Sequence, residues 1–376
     1  MLERHVVKYL APGWFAVVMG TGGLANISQQ WQNTLPAGHL LALVLAALAD
    51  ILYVLILIPW LIRWVSFFEY VQRDLHHPVT SNFFVTMPVA TIIVGTNLYN
   101  IWGSVIGGLQ TFWLSMLAWL IGIIGVTFFS FYTTFRMMQV EVTPKPETTN
   151  FSWIMAPIAN MATLLLGNSV VMMSLHYELT WSMSILTVNL VMFGIGFFLF
   201  LFISAVVFVR LVQHPLPPAE LTPSFGILLS AVGLATIALL DTSKSAQALG
   251  IVTAADFATL GAASVWGFGI WVIGIIGLIS IYQMRKEGIP FSLGWWAYIF
   301  PLAAYTIASL KISALFITPL TYYWSAFLTI LLIALWLYAF SNTLKGVFSG
   351  RLFLGKPIYL SSSRKCSNML NSDESL

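Results

Sequence analysis

The sequence predicts an all-α integral membrane protein: ten transmembrane helices, paired as five hairpins around a central pore. Three observations carry this. First, 59% of the 376 residues are hydrophobic and only 8% are charged, against about 25% charged in soluble domains. The 16 Lys and Arg and 13 Asp and Glu are too few to give a globule of this length a wetted surface, so its solvent is lipid. Second, ten stretches have the mostly apolar character and roughly 20-residue length of a membrane span: 10–28, 38–62, 80–99, 108–136, 151–174, 182–211, 221–241, 256–284, 291–316 and 321–345. Third, if every stretch crosses, 14 of the 16 basic residues fall on one side. That side is cytoplasmic by the positive-inside rule, and both termini lie on it.

The elements follow in order. Arg4 and Lys8 precede span one, which holds Pro12 and Gly20-Thr21-Gly22-Gly23 and is closed early by Ser28, Gln29 and Gln30. Span two is apolar except for Asp50, and Arg63 and Arg73 follow it. Span three carries Thr86, Pro88, Thr91, Gly95, Thr96 and Asn97, whereas span four is heavy with Trp113, Trp119, Phe128, Phe129 and Phe131. Arg136 and Lys145 lie in the next loop. Span five repeats the polar character with Pro157, Asn160, Thr163, Gly167, Asn168 and Ser169; span six answers with six phenylalanines from Phe193 to Phe208 and ends at Arg210. Pro223 opens span seven, Lys244 falls in the loop after it, and Arg285 and Lys286 close span eight. Span nine contains Pro301 and Lys311. Span ten is followed by Lys345, Arg351, Lys356, Arg364 and Lys365. The expected organisation is a cytoplasmic segment 1–9, a transport domain 10–345 and a cytoplasmic tail 346–376. The 361–376 part of the tail is polar enough to expect disorder.

Odd spans therefore carry proline and small or hydroxyl residues, and even spans carry bulky apolar ones. Proline frees a backbone carbonyl and kinks a helix, and such carbonyls must face protein or a water-lined cavity. Pro12, Pro88, Pro157, Pro223 and Pro301 are thus expected kinks of an inner ring. Small residues have two readings: a pore lining, or close helix packing. On the first, Thr21, Thr86, Thr91, Asn97, Asn160 and Asn168 line the substrate path. A path without acidic groups suits anions better than cations.

Two charges sit within spans. Lys311 attracts anions at the outer mouth or snorkels to the interface. Asp50 has three readings: a hydrogen bond to a neighbouring inner helix, the proton site of a symporter, or a partner for Lys311. His76 and His77 before Pro78 suit a loop cap or a pH sensor. His176 and Glu178 are a poor basis for a metal site. Cys366 is the single cysteine, which excludes an internal disulfide and a cysteine cluster. No signal-peptide pattern, phosphate-binding loop, nucleophile with a base or basic stripe for nucleic acid is found, so no cofactor, metal, nucleic-acid partner or enzyme activity is expected.

Specific segments add a resemblance. Residues 12–23 read PGWFAVVMGTGG, residues 77–88 read HPVTSNFFVTMP, and residues 291–301 read FSLGWWAYIFP. Together they resemble the tellurite-resistance/dicarboxylate transporter family, which includes bacterial TehA, yeast malic acid permeases, fungal sulfite efflux pumps and plant slow-type anion channels. The resemblance covers about residues 8 to 345. It implies five hairpins around a pore, a homotrimer with one pore per subunit, and a gating phenylalanine before the proline of span nine, here Phe300. The function it implies is transport of small anions across the plasma membrane. Malate or another four-carbon dicarboxylate is the leading substrate, with sulfite or tellurite-linked efflux, or a chloride–nitrate channel, as alternatives.

Overall fold

The computed structural model describes residues 6–139, 149–254 and 256–353. Arg4, Lys145, Lys356, Arg364, Lys365, Cys366 and the 361–376 segment lie outside the described residues.

The helices are α1 (Phe15–Gln30), α2 (Gly38–Ser66), α3 (Phe68–His76), α4 (Thr86–Asn97), α5 (Gly108–Met138), α6 (Met155–Ala162), α7 (Leu164–His176), α8 (Ser182–Gln213), α9 (Ile227–Ala248), α10 (Asp256–Lys286), α11 (Trp296–Phe316) and α12 (Pro319–Phe348). Nine described stretches are long and apolar enough to cross a membrane. The first expected span is not among them; its α-helix has 16 residues, about 24 Å at 1.5 Å per residue. It still belongs to the bundle: from Phe15 to Ile27 every residue but Ala16 is buried.

The two kinds of span differ as their side chains require. Even spans are single long helices: α2, α5, α8, α10 and α12. Odd spans are composite. Each opens on a 3-10 turn: Pro12–Trp14, Thr80–Phe83, Phe151–Ile154, Ala219–Gly226 and Leu293–Trp295. Span three ends in a π turn, Leu98–Trp102. Span five is split into α6 and α7 at Thr163, whose hydroxyl donates to the Asn160 carbonyl at 2.7 Å and competes with the helical ladder there.

The proline expectation needs correction. Pro12 and Pro223 lie in the opening 3-10 turns of their spans and Pro88 and Pro157 in the first turns of α4 and α6, so none of the four kinks the middle of a helix. A first-turn proline removes an N–H that has no intrahelical acceptor, so it starts a helix at little cost. Pro301 alone of the five lies beyond the first turn of an α-helix. Its missing N–H leaves the carbonyl of Ala297 without its usual helical donor. That carbonyl faces Gly226, where a Cβ would collide with it.

The odd spans form a closed ring. Span one touches three, three touches five, five touches seven, seven touches nine, and nine returns to one. Each even helix sits outside, between its own odd partner and the next. Accordingly, 61–94% of residues are buried in odd spans three, five, seven and nine, against 11–44% in the five even helices. The exposed apolar faces of the even helices suit lipid. Glycine lets the inner helices approach closely. A Cβ on Gly22 would meet Ile93 and Asn97 of span three, and one on Gly23 would meet Ala303 of span nine. One on Gly233 would strike the backbone of Ala304 and Tyr305.

Candidate functional site

Two cavities enter the ring from opposite ends. The first, about 420 Å³, opens at the end where both described chain ends lie; Tyr9 and Phe353 are both in its wall. Phe353 stacks on Trp14 with ring centroids 5.4 Å apart, which packs the last described turn against the first. The second cavity, about 620 Å³, opens at the far end. Among the described residues, Phe300 borders both. Its side chain is buried on α11 directly before Pro301. Pro301 borders the first cavity.

The first cavity is lined near its mouth by Arg63, Arg73, Arg351, Asp74, Glu220 and His77. Arg63 is 2% exposed and is the most constrained of these. Its Nε donates to the Lys8 carbonyl at 3.1 Å, and its Nη2 donates to the Tyr70 carbonyl and to Asp74. It thereby ties α2, α3 and the segment before α1 together. With His77 neutral, the wall carries a net charge of +1 from three arginines and two carboxylates. His77 accepts backbone N–H groups of Val79 and Thr80 at Nδ1, at 3.3 and 3.1 Å. Burial holds its imidazole below the ordinary 6.5; Asp74 opposes that and Arg73 adds to it.

The second cavity is lined by amides, including Asn26, Gln29, Asn100 and Asn168, and by Lys244, Lys311 and Asp241. Its net charge is likewise +1, from two lysines and one aspartate. Lys311 Nζ donates to Asp241 Oδ1 at 2.7 Å, linking α11 to α9. Asn168 Nδ2 donates to Thr242 Oγ1 at 3.1 Å, linking α7 to α9. Asn26 donates to Asn97 and accepts from Asn100 at 2.7 Å, linking α1 to span three.

Of the six expected lining residues, Thr86 borders the first cavity and Asn168 the second. The other four lie between helices and away from both cavities. Thr21 donates to the Val17 carbonyl at 2.8 Å and accepts from Trp336 Nε1 at 3.1 Å. Thr91 pairs with the Tyr53 hydroxyl at 2.6 Å. Asn97 accepts from Asn26, and Asn160 Nδ2 donates to Ser130 at 2.9 Å. Packing is the better reading of these four. Even Thr86 has a packing role, since its hydroxyl donates to the Pro12 carbonyl at 2.7 Å.

The intramembrane charges are also rearranged. Asp50 does not pair with Lys311; its Oδ2 accepts from Trp102 Nε1 at 2.9 Å, which is the bond to a neighbouring inner span. The π turn 98–102 carries Trp102. Asp50 borders neither cavity. Lys244 is not in a loop, because α9 runs on to Ala248. Asp241, counted as the end of span seven, is therefore inside the helix and on the cavity wall. The signal that finds this is Gly250, at φ 71: a left-handed glycine marks a helix end, and no other Gly or Pro intervenes after Gly233. Among the described residues, His176 and Glu178 belong to no group of three potential metal ligands.

Residues 9–344 match the family described as SLAC1, voltage-dependent anion channel. The chain belongs to this family. An uncharacterized transporter of Methanocaldococcus jannaschii is 31% identical over 94% of this chain and 98% of its own length. A sulfite efflux pump of Arthroderma benhamiae is 27% identical over 91% of this chain and 92% of its own. A tellurite resistance protein TehA homolog of Haemophilus influenzae is 25% identical over 78% and 79%. Membership makes the chain a multi-pass membrane protein of a family of anion channels and transporters, not of enzymes.

Proposed function

We propose that this protein carries small anions through the five-helix ring, from one cavity to the other, past Phe300. The observation that carries the reading is that two cavities of net positive charge approach from opposite ends and share the Phe300 side chain as a common wall. A phenyl ring between two wet cavities excludes water and raises the barrier to an ion. Polar but uncharged groups deeper in, such as Asn168 and Ser230, offer partial replacement of a hydration shell. The two cavities' positive walls raise the local anion concentration. In the cell, the end with Arg63, Arg73 and Arg351 faces the cytoplasm of the plasma membrane by the positive-inside rule, and three copies assemble with one path each.

Malate or a similar four-carbon dicarboxylate is the leading substrate. Sulfite is the second, favoured by the fungal sulfite efflux pump that aligns over nearly the whole chain. The test is reconstitution in liposomes with an anion panel including both, with and without an imposed proton gradient. Phe300→Ala is expected to raise anion flux at least tenfold, about 1.4 kcal/mol off the barrier. Unchanged flux from a folded variant removes the gate, and flux of cations in place of anions removes the anion reading.

A further inference from the structure

We infer that the Asp241–Lys311 pair, together with Lys244, sets which anion charge state the far-end cavity admits. The proposal rests on the conduit reading above and adds a valence filter to it.

Three charged side chains line that cavity: Asp241, Lys244 and Lys311. They are not equivalent. Lys311 is held by Asp241 at 2.7 Å, with 28% and 20% of the two side chains exposed. The pair is thus fixed across α9 and α11 but still in contact with cavity water. Lys244, one turn beyond Asp241 on α9, has no carboxylate within ion-pair distance among the described residues. The cavity's electrostatic surplus is therefore one positive charge, at Lys244, while the charge of Lys311 is largely cancelled where it stands. The remaining lining polar groups are neutral amides and hydroxyls. They bind an anion of either valence, whereas the potential of the surplus charge acts twice on a divalent anion and once on a monovalent one. For a weak diacid, the Asp241 carboxylate therefore holds down the preference for the fully ionised form.

The energy of an anion in a fixed potential scales with its charge. Removing the Asp241 charge adds one positive charge to the wall, at constant geometry. At a separation of about 8 Å with the dielectric constant of water, that is worth about a twofold to threefold gain for a monovalent anion. For a divalent anion the same change acts twice, so the gain is the square, about sixfold. Salt screens both gains. A pair that serves only to latch α9 to α11 gives neither the squared relation nor the salt dependence.

The experiment uses the full chain in liposomes on a Phe300→Ala background, so that the path is open, with nitrate and sulfate as probes. Apparent affinity is read from nitrate flux and from sulfate's competition with it, at low and high ionic strength. Asp241→Asn is expected to raise affinity for both, with the sulfate gain near the square of the nitrate gain and both fading at high salt. Lys311→Gln is expected to reverse the sign. The exchange Asp241→Lys with Lys311→Asp keeps the pair and the net charge, and is expected to restore the wild-type ratio; it also guards against a misfolded single variant. An unchanged sulfate-to-nitrate ratio in a folded, nitrate-conducting Asp241→Asn protein overturns the filter, and so does sulfate that fails to compete in every variant. Absence of nitrate flux on the Phe300→Ala background alone is a different failure, that of the conduit itself.

Discussion

His77 sits where the chain turns from α3 into span three, with its Nδ1 accepting two backbone N–H groups. Protonation there removes that acceptor, and burial already holds the pKa below 6.5. As pH falls through the ordinary histidine range, the unfolded chain takes up the proton before the folded one does. Stability is therefore lost on acidification. The melting temperature of the detergent-solubilised protein is expected to fall from about pH 7.5 to about pH 5.5, and His77→Gln is expected to flatten that slope. An equal slope in the variant assigns the effect to other groups. Asp50 gives a second residue-scale expectation. Asn at this position still accepts from Trp102, so Asp50→Asn should leave any response of flux to a proton gradient intact. Asp50→Leu should cost about 1 kcal/mol of stability through the lost hydrogen bond. Loss of the gradient response in Asp50→Asn would put the carboxyl on a proton path after all.

Helices α9 and α11 meet through Gly226, just before α9, and Gly233, two turns further on. At both positions a Cβ would strike backbone, not a movable side-chain tip: the Ala297 carbonyl at Gly226 and the Ala304–Tyr305 peptide at Gly233. Backbone can yield only by moving a helix, so Gly233→Ala is expected to cost about 1–3 kcal/mol. Gly277 has open space around its Cα, and Gly277→Ala serves as the matched control with a neutral or slightly stabilising effect. Thermal unfolding of the two variants side by side checks this; equal melting temperatures would mean that the interface is slack. Because α11 also carries Phe300, flux through Gly233→Ala reports whether the packing of this helix pair also sets the position of the proposed gate.

The whole molecule is two concentric layers whose outer one is greasy on its far side. Helix α10 has only 11% of its span buried, which leaves its apolar face for lipid or for another copy. Assembly as a trimer is expected to appear as a threefold mass, after detergent correction, in light scattering of the purified protein. A monomeric mass at micromolar concentration in mild detergent would argue against it. The proposed path lies within one chain's own ring, so the flux per subunit should not depend on assembly.

Much of this architecture is legible in the sequence. The scarcity of charge, the spacing of apolar stretches and the one-sided basic residues give the spans, because a helix in lipid must satisfy its backbone internally and carry an apolar surface. The alternation of small polar spans with bulky ones separates inner ring from outer layer by the same solvent logic. The proposed Phe300 gate rests on the resemblance that residues 291–301 carry, since a buried phenylalanine in isolation reads as packing. What the sequence could not assign was direction. Whether Thr21, Thr91, Asn97 and Asn160 face a cavity or a neighbouring helix depends on the rotation of each helix in the ring, and a ring closed by glycine contacts sets that rotation. The same holds for charge: Asp50 and Lys311 are the conspicuous pair along the chain, yet Trp102 takes the one and Asp241 the other. Composition and periodicity determine which segments enter the membrane, because burial in lipid is a property of each segment; the partners of a polar side chain are decided by packing between segments distant in sequence, and only the tertiary structure holds that information.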